Sequence, residues 1–100
     1  MYFALTKLTF DDQSSAALDR KSLHALCDKL RAHFRICVEI ATTAEDKGYA
    51  AIALCGLDRS SEKLSQLVDK IVAYCERSEG LRVSDEPTLI DHVDIVDEED

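Results

Sequence analysis

The spacing of apolar and polar residues changes several times along the chain, and residues 18–38 contain the clearest change. Up to Phe34, the apolar side chains recur every third or fourth residue, as in a helix that buries one face. From Ile36 they recur every second residue, as in a strand with one covered face. The pattern therefore predicts a helix that leads directly into a strand.

The same patterns predict six elements over the whole chain. They are a strand over 2–10, a helix to about residue 34, strands over 35–42 and 49–57, a helix that Gly80 ends, and extended segments over 81–83 and 88–96. Ser15 is the expected N-cap of the first helix, and Asp58 or Ser60 that of the second. The first strand is apolar on both faces and is expected to be central, whereas Pro87 indicates an edge position or a bulge.

This order, β-α-β-β-α-β, predicts the fold class. It is α+β, and the specific expectation is a ferredoxin-like sandwich, with a four-stranded antiparallel sheet and two helices on one face. A length of 100 residues suits one domain, expected over 1–96, with an acidic tail over 97–100.

The net charge of −8 is concentrated at one end of the chain. Residues 1–83 carry all 12 Lys and Arg and 12 of the 20 Asp and Glu, so the excess acid lies in residues 84–100. Such a segment repels phosphate, and no DNA partner is expected, although a local basic contact to RNA stays open. There is no apolar run of membrane-spanning length and no leader-like N-terminus, so a cytoplasmic location without membrane contact is expected.

The chemical motifs of enzymes and metal sites are not present in the sequence. The four cysteines are far apart without a C-x-x-C pair, and reduced structural thiols are expected, with a disulfide framework or a zinc site as the alternative. His24 and Cys27 have helical i,i+3 spacing, but two ligands do not make a zinc site, so neither a metal nor a cofactor is expected. No Gly-rich phosphate loop or G-x-S-x-G motif occurs, so no enzymatic activity is expected, with an unrecognised enzyme as the weaker alternative.

One segment carries a family resemblance. The stretch LHALCDKLRAHFRICV, with Asp28, Leu30, Arg31 and Phe34 in place, resembles the first-helix signature of the YlxP-like family of small bacterial proteins. The chain departs from the family pattern upstream, where it reads SAALDRK, and in the hairpin, where TTAEDKGY replaces a Trp-containing segment. The resemblance implies a ferredoxin-like fold. It also implies a link to ribosome maturation or translation, because family members are often encoded beside a ribosome-binding factor.

A group of basic residues along the first predicted helix is the first candidate contact surface. We call it the basic ridge, and it consists of Arg20, His24, Arg31 and Arg35. Arginine presents several N–H donors that match phosphate or carboxylate groups, so a ribosomal particle, RNA or an acidic protein surface is the expected partner. The alternative is a solvated helix face with local ion pairs, such as His24 with Asp28.

The second candidate surface is the sheet face that the helices leave open. Phe3, Leu5 and Cys37 are expected there, and an apolar sheet face predicts self-association as a homodimer. The alternative is that these residues belong to the core. The sequence therefore favours a non-enzymatic binding or accessory protein. The rival hypothesis is a self-associating regulatory domain that uses the open sheet face for dimerisation or small-ligand binding.

Overall fold

A computed structural model of the chain describes residues 1–94. The predicted acidic tail over 97–100 and the end of the last predicted strand lie outside these residues. The elements are β1 (Tyr2–Phe10), α1 (Asp12–Ala17), α2 (Arg20–His33), β2 (Cys37–Thr42), α3 (Ala44–Lys47), β3 (Ala51–Asp58), α4 (Ser61–Arg77), β4 (Val83–Asp85) and β5 (Thr88–His92).

The strands form one antiparallel, open sheet in the order β2-β3-β1, with β4 and β5 both paired to the far edge of β1. The expected central position of β1 agrees with this arrangement. The expected number of four strands does not agree with it, because the last predicted strand is present as two strands that pair separately with β1. Here β4 pairs with the end of β1, at Thr9 and Phe10, and β5 pairs with its first half.

The division of the last strand lies at Pro87. This residue has no N–H to donate, but its carbonyl accepts a hydrogen bond of 3.2 Å from the N–H of Lys7. The chain therefore stays against β1 while the regular ladder is interrupted. A proline at an interrupted sheet edge is the arrangement that its chemistry favours.

One face of the sheet packs against α2 and α4. Every second residue of β1 from Ala4 to Phe10 is buried, and Leu8 and Phe10 join a single buried cluster with Leu23 of α2 and Ile71 of α4. The two long helices therefore lie on the same face, and within residues 1–94 no helix covers the other face, which we call the open face. No helix of residues 1–94 has the length and apolar character that a membrane crossing requires.

The first predicted helix is divided, and this corrects its expected N-cap. α1 ends at Ala17, and α2 begins after Asp19, whose carboxylate accepts a 2.7 Å hydrogen bond from the N–H of Ser22. Asp11 caps α1 in the same way, so Ser15 lies inside α1 and is not a cap. Two Asp carboxylates hold these positions because an ionised oxygen is a strong acceptor for the free N–H groups of a first turn.

The connection between β2 and β3 is also more structured than the expected simple turn. It contains the short helix α3, which Thr43 caps and Gly48 ends with a φ of +82°. Glycine adopts this left-handed conformation without steric cost. At the start of α4, the N-cap is Ser60, one of the two residues expected there.

Candidate functional site

The structure ties two members of the basic ridge into local ion pairs. Arg20 Nη2 lies 3.7 Å from Asp46 Oδ2 of α3, and Arg31 Nη1 lies 2.9 Å from Asp28 Oδ1. Arg31 Nη2 also donates a hydrogen bond of 2.6 Å to the carbonyl of Val38. The Arg31 guanidinium thus links α2 to β2, which gives it a structural task in addition to its charge.

The other two members of the ridge are exposed but do not lie together. His24 is on the exposed side of α2. Arg35 is outside the helix altogether, because α2 ends at His33 and Phe34 adopts an extended conformation. The helical wheel therefore does not apply to Arg35, and the four residues do not form one continuous row.

Arg35 instead lines a cleft of about 350 Å³ between the α2–β2 connection, the end of β3 and α4. We call this the basic cleft, and its lining residues are Arg35, Leu57, Asp58, Lys63, Gln66, Leu67 and Lys70. Three cations and one carboxylate face this space. Within residues 1–94, no carboxylate lies within 4.0 Å of these three cations.

The single acid of the basic cleft is held by the backbone. The carboxylate of Asp58 accepts a hydrogen bond of 2.9 Å from the N–H of Ser60, at the start of α4. Its charge is therefore directed partly at the helix N-terminus and not at the basic side chains. The cleft keeps a positive balance, as a site for phosphate or another anion needs.

Lys63 and Lys70 line the basic cleft but were not among the candidate residues predicted from the sequence. They flank Gln66 at positions i, i+3 and i+7 of α4, so the three polar groups share one helix face. That spacing was readable from the sequence. The proximity of Lys63 and Lys70 to Arg35 could not be predicted from the sequence, because it depends on how α4 packs beside the α2–β2 connection.

The predicted open-face residues do lie on the open face of the sheet. Cys37 pairs with Cys55, Cys55 with Leu5, and Leu5 with Leu89, so these four residues form one row across four strands. Phe3 lies one row further along, opposite Leu57. The side chains of Leu5, Leu57 and Leu89 are 47%, 65% and 53% exposed.

An apolar groove of about 480 Å³ runs along this face between β3, β1 and the β4–β5 edge. Its lining includes Leu5, Ala53, Pro87 and Leu89. Lys7 at its border donates a hydrogen bond of 3.3 Å to the hydroxyl of Tyr49. Covering the exposed leucines Leu5 and Leu89 at this groove would remove apolar area from water and lower the free energy, so the groove is a candidate contact surface.

The cysteines separate into two pairs with different surroundings. Cys27 and Cys75 are buried in the core, and burial raises the pKa of Cys27 and raises that of Cys75 to about 12. Cys37 is exposed, and Cys55 is partly buried. His24 and Cys27, the pair with ligand-like spacing, point into solvent and core respectively, and residues 1–94 contain no cluster of three or more metal-binding side chains.

Comparisons with known proteins give a structural likeness alone. No protein-family model matches the chain, and no curated protein matches it in sequence. A crystal structure of At3g17210 from Arabidopsis thaliana is similar, with a TM-score of 0.54 and 12% identity, over 97% of this chain and 99% of that one. At this identity, the likeness concerns the fold and says nothing about activity.

Proposed function

We propose that the chain is a non-enzymatic accessory protein that binds RNA on ribosomal particles through the basic cleft. The single observation that carries this proposal is the convergence of Arg35, Lys63 and Lys70 on one cleft without carboxylate partners among the described residues. The ribosomal setting comes from the resemblance to the YlxP-like family. In the same proposal, the fold is a ferredoxin-like sandwich whose fourth strand is interrupted at Pro87.

Among the described residues, the position of the acids Asp85 and Glu86 supports an RNA contact at the basic cleft. Asp85 and Glu86 lie on the β4–β5 edge, whereas the basic cleft lies beside β2 and β3. The strand β1 separates the two edges, and neighbouring strands are about 4.8 Å apart. The acidic edge and the basic cleft are therefore separate surfaces, and a molecule with a negative net charge still presents a cationic one.

The proposal is tested by sedimentation with isolated ribosomal particles at low and moderate salt. The variant Arg35→Glu, Lys63→Glu, Lys70→Glu is expected to lose binding at least tenfold, because three cations facing phosphate become three anions. A matched control, Lys21→Glu, Lys47→Glu, Arg77→Glu, makes the same change in net charge at exposed positions elsewhere. It is expected to bind more tightly than the cleft variant.

A second arm compares the basic cleft with the basic ridge. The variant Arg20→Glu, Arg31→Glu is expected to keep most of the binding, because both guanidinium groups already have partners. Loss of binding in this variant, with binding retained in the cleft variant, would move the contact to α2 and overturn the cleft. Equal binding by wild type and all three variants would overturn the RNA contact itself.

The second candidate function is self-association through the open sheet face, and the charges on that face favour a second copy of this chain as the occupant. Glu39 of β2 and Lys7 of β1 lie in one row, on either side of Ala53 of β3. A twofold axis parallel to the strands and above β3 would place Lys7 of each copy opposite Glu39 of the other. Two ion pairs between Lys7 and Glu39 would then form between the copies, at the border of the apolar rows.

Light scattering tests this pairing. The wild type is expected to be a dimer that Leu5→Glu dissociates, because a carboxylate would be buried without a partner, while Ala32→Glu on α2 has no effect.

Lys7→Glu and Glu39→Lys are each expected to weaken the dimer, and the double exchange is expected to restore it. A monomeric wild type at high concentration, or a double exchange weaker than both single ones, would reject this interface.

A further inference from the structure

Two of the four cysteines stand directly opposite each other on the open sheet face. Cys37 of β2 and Cys55 of β3 are paired residues of an antiparallel ladder. Residues in such positions have Cα atoms about 4.5–5.5 Å apart, and their side chains point to the same face. Residues joined by a disulfide have Cα atoms about 4.4–6.8 Å apart, so this register places the two Cα atoms within the range that a disulfide spans.

The surroundings of this pair differ from those of the other two cysteines. Cys37 is exposed and Cys55 is partly buried, so small reagents reach the pair from the open face. Cys27 and Cys75 are 1% and 0% exposed. The thiolate is the reactive form of cysteine, and burial disfavours it for the core pair.

We propose that Cys37 and Cys55 form a redox-active dithiol pair that a low-molecular-weight disulfide converts into a cross-strand disulfide. One thiol loses its proton and attacks the reagent, forming a mixed disulfide and releasing one reduced thiol. The second protein thiolate attacks the sulfur of the first cysteine and releases the other reduced thiol. In total, two protein thiols are oxidised to one disulfide, and one reagent disulfide is reduced to two thiols.

The reaction changes the surface as well as the oxidation state. It fixes the edge strand β2 to β3 in the row that contains Leu5, in the middle of the open face. It does not depend on RNA binding by the basic cleft, so it stands or falls separately from that proposal. Pairing of two copies through the open face would cover both thiols, so the reaction is also measured with the Leu5→Glu variant, which is expected to be monomeric.

The test is incubation of the native protein with glutathione disulfide, followed by intact-mass measurement and peptide mapping. The expected product is one chain lighter by two hydrogens, with Cys37 and Cys55 in one linked peptide pair, and dithiothreitol is expected to reverse the change. The variants Cys37→Ser and Cys55→Ser are each expected to stop at a mixed disulfide on the remaining partner. In denaturant, Cys27 and Cys75 are expected to react as well.

Three results would overturn the proposal. They are mixed disulfides on both residues without an internal bond, a covalent dimer linked through Cys55 of two copies, and no reaction of either the native wild type or the Leu5→Glu variant. Each would show that Cys37 and Cys55 do not form the proposed bond within one chain.

Discussion

At the scale of single residues, Ser15 shows how a hydrogen-bond partner distant in the sequence determines the structural role of a side chain. Serine is favoured at helix N-caps, and the local sequence predicted that position for it. In the structure, the Ser15 hydroxyl is buried, donates to the carbonyl of Phe10 at 3.1 Å and accepts from the N–H of Ala50 at 2.9 Å. Ala50 lies 35 residues from Ser15 in the sequence, and only the fold brings its N–H to the Ser15 hydroxyl. No local sequence pattern indicates this hydrogen bond.

We expect Ser15→Ala to lower the free energy of unfolding by about 1–3 kcal/mol, because it leaves the buried N–H of Ala50 without an acceptor. Urea denaturation measures the change. Ser65→Ala is the control, since Ser65 is exposed in the middle of α4 and alanine is a good helix former. A Ser15 variant as stable as this control would show that the bridge between α1 and β3 is not needed.

At the scale of elements, β3 illustrates what a continuous apolar run leaves undecided. The run over 49–57 predicted a strand between two neighbours, and β3 does pair with both β1 and β2. Its two faces nevertheless differ: Gly56 faces the helices, and Ala53 faces outward. A Cβ atom at Gly56 would lie 3.1 Å from Leu67 Cδ2, so α4 packs close to the backbone at that point.

The two faces of β3 can be compared with one pair of substitutions. Gly56→Val is expected to lower the free energy of unfolding by about 1–3 kcal/mol, because its branched side chain would displace Leu67 and Leu64. Ala53→Val on the open face is expected to be neutral or stabilising, since β-branched residues suit strands. Thermal denaturation of both variants measures the difference. A loss at position 53 equal to that at 56 would contradict the assignment of the covered face.

The predictions that were wrong at this scale concern short elements. The division of the first helix into α1 and α2, and of the last strand into β4 and β5, involves pieces too short to carry a hydrophobic period. β4 has three residues and is held by its pairing with Thr9 and Phe10 of β1. Such elements follow from tertiary contacts. The sequence therefore predicted the long elements and two extended segments around Pro87, but not the division of the first helix or the separate pairing of β4 and β5 with β1.

At the scale of the whole molecule, described acidic and basic side chains are concentrated on different surfaces, at the β4–β5 edge and at the basic cleft. The resulting acidic edge contains Glu86, whose pKa is raised, first by burial and then by the neighbouring acids Asp69, Glu76 and Asp85. The charges of the basic ridge, by contrast, are partly neutralised by carboxylates on α3 and β2. The sequence located the basic residues of α2, but not these partners, because their approach depends on the folded chain.

The raised pKa of Glu86 makes stability depend on pH with a definite sign. Folding disfavours the ionised carboxylate of Glu86, so at a pH above its pKa in the folded protein the charge lowers the free energy of unfolding. At a pH below the ordinary pKa of 4.5 the carboxyl group is protonated in both the folded and the unfolded protein, and it has no such effect. Glu86→Gln is therefore expected to raise the unfolding midpoint at pH 7, and this gain is expected to vanish as the pH falls below 4.5. Denaturation of both proteins across this range measures it. A gain that is constant with pH would contradict the assigned cause.

The salt dependence of binding to isolated ribosomal particles tests the central claim most directly. Each cation that contacts a phosphate contributes about one unit to the slope of log affinity against log salt. Arg35→Gln, Lys63→Gln and Lys70→Gln are each expected to reduce that slope by about one unit, whereas Lys47→Gln leaves it unchanged. Slopes that are equal in the wild type and the three cleft variants would contradict the account.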